Sequence, residues 1–363
     1  MAKTHSSRLA TGRRRGREGR GSRTRGSPSA FSYFLFRMVD MLKSLIGGIP
    51  RNAIGSIDIT CRCNLRCKHC YFLEQHFTSE LTDQEWVWKM DYWRDHTDFP
   101  FYQCSWVGGE PLLRKDLVEQ LMDRFVSNLV ATNGSIPLPD WPDCNFYVSV
   151  DGTRKYYAEM RGNAQLYDRI KANVNSARHL KVTAAMVVNR ENWRCIPQLL
   201  EEWSTTHVKG LLFQFFTPIE GIDNSMWMGW PLRDHVIDMI IQLKRPYGDF
   251  IVNSVPQLRL MKSKTAQMVT RNCPYARLAY ALGPDGRVKR PCMMGGKADC
   301  ERCGCVLPFH SWLLARQNVV LRELVLFLRK LAYNRWLPKH RQAAMGRAGE
   351  KERTQTEPSA GPS

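Results

Sequence analysis

Between residues 50 and 250 the chain switches repeatedly between two hydrophobic rhythms. Short apolar runs of strand character occupy 56–60, a run ending at Gly108-Gly109, 129–131, 145–150, 182–188 and 210–216. Between them, apolar residues recur at helical spacing over 86–96, 115–125, 164–178, 196–203 and 233–243. Thr82-Asp-Gln-Glu85 has the form of a capping box and predicts the start of the first helix. Only the third strand lacks a readable helix after it. Such alternation predicts an α/β fold whose parallel strands are joined by right-handed crossovers. A doubly wound sheet shares the alternation, but no GxGxxG phosphate turn follows the first strand.

Composition adds two basic flanks to this body. The 363 residues carry a formal net charge of +19, yet residues 1–37 hold ten Lys/Arg against one acid and residues 306–363 ten against four. The Arg/Gly/Ser-rich start predicts a disordered basic arm over 1–37, and the polar end a disordered tail over 338–363. Either the arm grips nucleic acid or anionic lipid, or it is an extension without function. Over 311–337, Leu and Phe at helical spacing are interleaved with Arg316, Arg322, Arg329 and Arg335. That pattern suits a basic amphipathic helix on an anionic membrane surface or a terminal helix packed on the core. No stretch reaches the roughly 18 apolar residues that span a bilayer, and none reads as a secretory signal. The expected location is cytoplasmic, with peripheral membrane association as an option.

Twelve cysteines change the picture, because eight fall in two groups, a pattern of metal ligation in a reducing compartment. Cys63, Cys67 and Cys70 lie at x3 and x2 spacing just after the first strand. Three thiolates on one loop can hold a metal cluster and leave a coordination position open for chemistry. Trp106-Val-Gly-Gly-Glu-Pro111 closes the second strand some forty residues later. Together these motifs resemble the signature of the radical S-adenosylmethionine (SAM) superfamily.

The resemblance implies a full or partial (β/α) barrel with its site at the carboxyl ends of the strands, plus a small C-terminal cysteine-rich extension. It implies that Cys63, Cys67 and Cys70 bind a four-iron, four-sulfur cluster whose fourth iron is chelated by SAM. His69 would pack near the adenine, and the backbone of Gly108, Gly109, Glu110 and Pro111 would meet the methionine amine. Glycine there allows close approach of the main chain. Ser149, Asp151 and Asn189, at the ends of the fourth and fifth strands, would contact ribose or carboxylate. The family's occasional glycine and acidic motif near the fifth strand is missing. A zinc site with His69 as fourth ligand is the alternative for the first group. Cys61 reads as a bystander, and Cys104, Cys144 and Cys195 as buried core thiols.

Cys273, Cys292, Cys300, Cys303 and Cys305 follow the barrel, with 282–288 reading as a β-hairpin. This region, 268–306, resembles the SPASM and twitch auxiliary-cluster domains of radical SAM enzymes, although Gly286-x5-Cys292 is one residue longer than their usual spacing. The expected ligands of a second cluster are Cys273, Cys292, Cys300 and Cys303, with Cys305 the spare or the true fourth. A four-cysteine zinc ribbon stays open.

The resemblance further implies reductive cleavage of SAM to a 5′-deoxyadenosyl radical that takes hydrogen from a substrate, with flavodoxin or ferredoxin as reductant. No catalytic residue is singled out. Apolar walls over 211–216 point to a lipid or isoprenoid, and the auxiliary region to a peptide. A reading from another class is a non-catalytic iron–sulfur or zinc protein that binds nucleic acid through its basic arms.

Overall fold

A computed structural model describes residues 52–316, apart from Ala53, Asp98, Pro100 and Ile222. The arm over 1–37, the tail over 338–363 and most of the 311–337 helix lie outside the described residues.

Seven strands form one sheet: β1 (Ile54–Thr60), β2 (Gln103–Gly108), β3 (Ser127–Thr132), β4 (Cys144–Ser149), β5 (Lys181–Val188), β6 (Leu211–Phe215) and β7 (Ala279–Leu282). Their order is β6-β5-β4-β3-β2-β1-β7, and every pairing is parallel. β6 and β7 are edges, so the sheet is a partial (β/α) barrel. Among the described residues β3 and β4 are joined without a helix, as the sequence predicts.

Seven of the helices are α1 (Asp83–His96), α2 (Lys115–Met122), α3 (Arg154–Arg161), α4 (Gln165–Ser176), α5 (Ile196–Ser204), α6 (Trp230–Tyr247) and α7 (Val255–Leu260). The capping box of α1 is formed: Glu85 N donates to Thr82 Oγ1, and Thr82 N to Glu85 Oε2 at 2.7 Å. Such a cap contributes about 1 kcal/mol. α3 was not readable in advance. It is only eight residues long and begins with Arg154-Lys155, so two turns are too short a stretch to establish a hydrophobic rhythm.

Along β3 to β6 alternate residues are fully buried, while those between are mostly half-exposed. The buried set, including Val130, Phe146, Val182 and Phe213, joins one core with Leu121, Ile170, Leu199 and Ile240 from the helices. The other set, including Tyr147, Ser149, Val187 and Gln214, faces the barrel interior. Burying the first set contributes roughly 1.5–3 kcal/mol per large side chain, which fixes the strand register. The interior is thereby left for function.

The chain continues through α8 (Ser263–Arg271) and α9 (Pro274–Leu278) into β7. The hairpin predicted over 282–288 is present: Leu282 bridges Val288, and Gly283 N donates to Arg287 O at 2.8 Å. Its first limb also extends the main sheet by pairing with β1, which the sequence reading missed. Residues 283–305 then run to the other edge. Ile219 bridges Ala298, Asp299 N donates to Pro218 O, and Phe215 N to Gly304 O at 2.9 Å. The cysteine-rich segment therefore links both edges of the open barrel. α10 (Val306–Arg316) follows, with Phe309 buried and Trp312 packed on the core, so this first part of the predicted terminal helix belongs to the body. No helix among the described residues is long and apolar enough to cross a membrane.

Candidate functional site

The loop carrying Cys63, Cys67 and Cys70 leaves β1 and is pinned by the ends of three neighbouring strands. Gly109 N donates to Thr60 O at 2.9 Å and Glu110 N to Arg62 O at 2.8 Å, joining it to the end of β2. Asn64 donates to Ser135 Oγ and accepts from Asn133 Nδ2, each at 2.8 Å, joining it to the end of β3. Lys68 N donates to Met160 O at 2.9 Å, joining it to α3 beyond β4. On the outer side, Glu80 accepts from Thr60 Oγ1 and from Cys61 N.

This packing explains the paired glycines. A Cβ on Gly109 would stand 2.0 Å from Arg62 O, and one on Gly108, at φ +118°, would stand 2.6 Å from Thr60 O. The side chains are excluded first by the cysteine loop itself. Glu110 is wholly buried and ties β2 to β3, accepting from Leu112 N, Thr132 Oγ1 and Asn133 N at 3.0, 2.7 and 2.7 Å. Burial pushes its carboxyl up despite these donors. Pro111 opens the buried turn that follows.

Arg161 was not found from sequence. It ends α3, is buried, donates through Nε to Asp151 Oδ2 at 2.7 Å, and holds Nη1 3.7 Å from Cys67 Sγ. Asp151 is fully buried, with His69 Nε2 3.1 Å from Oδ2 and Val187 N donating to Oδ1 at 2.9 Å. Burial would raise this carboxyl, but Arg161 and His69 outweigh it and hold it well below the usual range. A basic residue just before a helix-ending glycine, Arg161-Gly162, was the available sequence signal, though many surface helices end that way.

Asn189 is also wholly buried, and its Oδ1 accepts from Glu191 N and Asn192 N, closing a turn after β5. Ser149 ends β4 on the half-exposed inner face. His69, Gly108, Gly109, Glu110, Asp151 and the three cysteines thus form one connected constellation at the carboxyl ends of β1 to β4.

Two observations fit this place to a cluster with a polar ligand beside it. Cys70 lies near enough to act on both Cys63 and Cys67, while burial raises Cys63 and pushes Cys67 up to about 11. Metal coordination is the ordinary way for such thiols to become thiolates at neutral pH. In addition, His69 Nδ1 is buried with no hydrogen-bond partner. No three His, Cys, Asp or Glu side chains among the described residues close on a single metal ion.

The second cysteine group gathers at the segment that links the sheet edges. Burial pushes Cys273, Cys292 and Cys303 up to about 11 and raises Cys305 well above the usual thiol range. The charges of Cys273, Cys292 and Cys303 all act on Cys305, whereas Cys300 is exposed. Tyr71, directly after Cys70, stands between the two groups: burial raises its hydroxyl, and Asp58, Cys70, Cys305 and Cys292 raise it further. Beneath it Lys289 Nζ meets Asp58 Oδ2 at 2.5 Å in a buried ion pair. Asp58 interrupts the apolar run of β1, a signal the sequence reading left unused. Cys104, Cys144 and Cys195 are buried.

Residues 57–202 match the model of the Radical SAM superfamily. Over 162 residues the chain is 30% identical to Fe-coproporphyrin III synthase of Methanosarcina barkeri, covering 40% of each chain. Over 158 residues it is 32% identical to pre-heme d1 synthase of Dinoroseobacter shibae, covering 40% of this chain and 38% of that one. The chain thus spans about two-fifths of the length of these relatives. Among solved structures, SuiB of Streptococcus suis bound to S-adenosylmethionine superposes with a TM-score of 0.55 at 12% identity, covering 81% of this chain and 73% of that one. SuiB with its precursor peptide SuiA gives 0.52 at 12% identity, covering 77% and 68%.

Proposed function

We propose that the chain, whose residues 57–202 match the Radical SAM superfamily model, is an enzyme that cleaves SAM reductively and uses the resulting radical to take hydrogen from an organic substrate. The observation that carries this reading is the three-cysteine loop pinned to the ends of β2, β3 and α3. Cys63, Cys67 and Cys70 would hold a four-iron, four-sulfur cluster. When bound, that cluster and SAM supply a 5′-deoxyadenosyl radical.

The chain's own residues position and shield. The backbone of Gly108-Gly109-Glu110-Pro111 presents itself to the methionine end of SAM, held rigid by Glu110 across β2 and β3. His69 faces the adenine side, its ring fixed by Asp151. Ser149 offers a polar contact from the inner face. Asp151 and Asn189 act through what they hold, because their side-chain oxygens are committed to Arg161, Val187 N and the turn at 189–192. Arg161 places a positive charge beside Cys67, which favours its thiolate form.

The second cysteine group would hold a further iron–sulfur cluster, with a zinc site as the competing occupant. Electrons would come from a flavodoxin or ferredoxin. For the substrate, the structure offers a cleft lined by Phe77, Ile219 and Met294 together with Glu74, His76, Lys289, Arg290 and Lys297. Apolar walls with more cations than acids among the polar lining suit a molecule with an apolar body and acidic groups. Porphyrins and peptides that carry acidic groups both belong to that class; the names of the two curated relatives favour a porphyrin-like substrate, and the SuiA complex a peptide.

Anaerobic purification with iron and zinc counting tests the reading. About eight irons per chain fit two clusters, and about four with one zinc fit a single cluster. A preparation under argon that takes up no iron would overturn it.

A further inference from the structure

Arg233 lies at the start of α6 with no exposed surface, and two of its guanidinium nitrogens, Nε and Nη2, have no hydrogen-bond partner. Its third, Nη1, donates to the backbone oxygen of Cys303 at 3.0 Å. The guanidinium lies over the rings of Phe215 and Trp230, 4.9 and 5.0 Å from their centroids. Among the described residues no carboxylate lies within ion-pair distance of it. The adjacent Asp234 is committed to Ser263, accepting from its N at 2.8 Å and its Oγ at 2.6 Å.

A buried arginine is always charged, and an uncompensated charge away from water costs several kcal/mol. Two aromatic faces offset part of that and satisfy no N–H. The energetics therefore call for an anion, and the nearby acid that acts most on Arg233 is the Cys303 thiol. As a neutral thiol it supplies no charge. Four cysteine thiolates around a metal centre do, since a four-iron cluster so ligated carries net negative charge. The backbone around Cys303 is held firmly: Gly304 N donates to Thr217 Oγ1 at 2.9 Å, and a Cβ on Gly304 would stand 2.0 Å from Phe215 O. The arginine and the cysteine segment are thus both fixed on the end of β6.

We propose that Arg233 is the internal counter-ion of an anionic metal–thiolate centre in the second cysteine group, a positioning residue that sets the charge balance and reduction potential of that centre. The inference rests on the reading that this group binds an iron–sulfur cluster. Adding an electron makes such a cluster more negative, so a buried cation at its edge stabilises the reduced form. Removing the cation lowers the potential.

The test uses full-length protein carrying Cys63→Ala, Cys67→Ala and Cys70→Ala, so that only the second centre can load. Iron content and an electron-paramagnetic-resonance redox titration are then compared for this background and for its Arg233→Lys and Arg233→Gln derivatives. Arg233→Gln is expected to favour the oxidised form by at least about tenfold, a fall of about 59 mV for a one-electron couple, while Arg233→Lys retains most of the parent value. Should Arg233→Gln not fold, the Lys variant and the rate at which a chelator strips iron from it carry the comparison, with stripping close to the parent rate expected. An unchanged potential and unchanged iron retention in Arg233→Gln would make the residue a structural plug between Phe215 and Trp230 and overturn the inference. A background that folds but binds no iron would instead overturn the second cluster itself, and Arg233 would lose its anion with it.

Discussion

Arg161 and Cys67 are 94 positions apart in the chain, yet the Arg161 guanidinium stands 3.7 Å from the Cys67 sulfur while its Nε holds the buried Asp151. One cation thereby serves both the cysteine loop and the carboxylate that orients His69. Removing it leaves the buried Asp151 with only His69 and Val187 N as partners, a loss of up to about 3–5 kcal/mol. Arg161→Met is expected to lose that much stability in urea unfolding of the metal-free protein, and Arg161→Lys distinctly less. Equal stability of the Met variant and wild type would show that the pair does not hold the site.

The Asp151 pair also predicts an acid response. Its folded-state carboxyl lies far below the ordinary value, so its contribution is complete above about pH 4 and fades as pH falls further. Asp151→Asn should flatten that acid limb of the stability curve. An unchanged slope between pH 4 and pH 2 would contradict the assignment.

Asp58 has the opposite sign. Burial pushes its carboxyl up to about 6 even though Lys289 opposes the shift, and its Oδ1 is buried without a partner. Stability tied to this group is present below about pH 4 and is lost as pH rises through about 6. Over that range Asp58→Asn should remove a fall on the order of 3 kcal/mol, read as melting temperature against pH. A variant whose curve keeps the wild-type fall would place its origin elsewhere.

Gly109→Ala would drive a methyl group into Arg62 O. A clash with backbone cannot relax by a side-chain rotation, so a loss of about 1–3 kcal/mol is expected, together with poor iron loading of the cysteine loop. Normal iron content at wild-type stability would show that the loop does not need this close contact.

The strand ends were legible because each was written locally: an apolar run stops, and a glycine, asparagine or cysteine follows. That rhythm placed six of the seven strands, and with them Cys63, Gly108, Ser149, Asp151 and Asn189 at one end. What escaped was long-range. β7 reads locally as a hairpin limb, and nothing in Ala279–Leu282 announces that it pairs with β1, more than 200 residues earlier. Arg161 and Arg233 look like ordinary helix arginines until the fold buries them. The glycines of the second motif were expected to clear space for a ligand, whereas their nearest obstruction is the cysteine loop's own backbone. Glu110 carried no local sign that it would span two strands.

The most direct measurement is 5′-deoxyadenosine formation from SAM under dithionite without oxygen, comparing wild type with Cys67→Ala and with Cys104→Ser as a folded control. The account predicts product from wild type and Cys104→Ser and none above background from Cys67→Ala. Product from Cys67→Ala at the wild-type rate would contradict it.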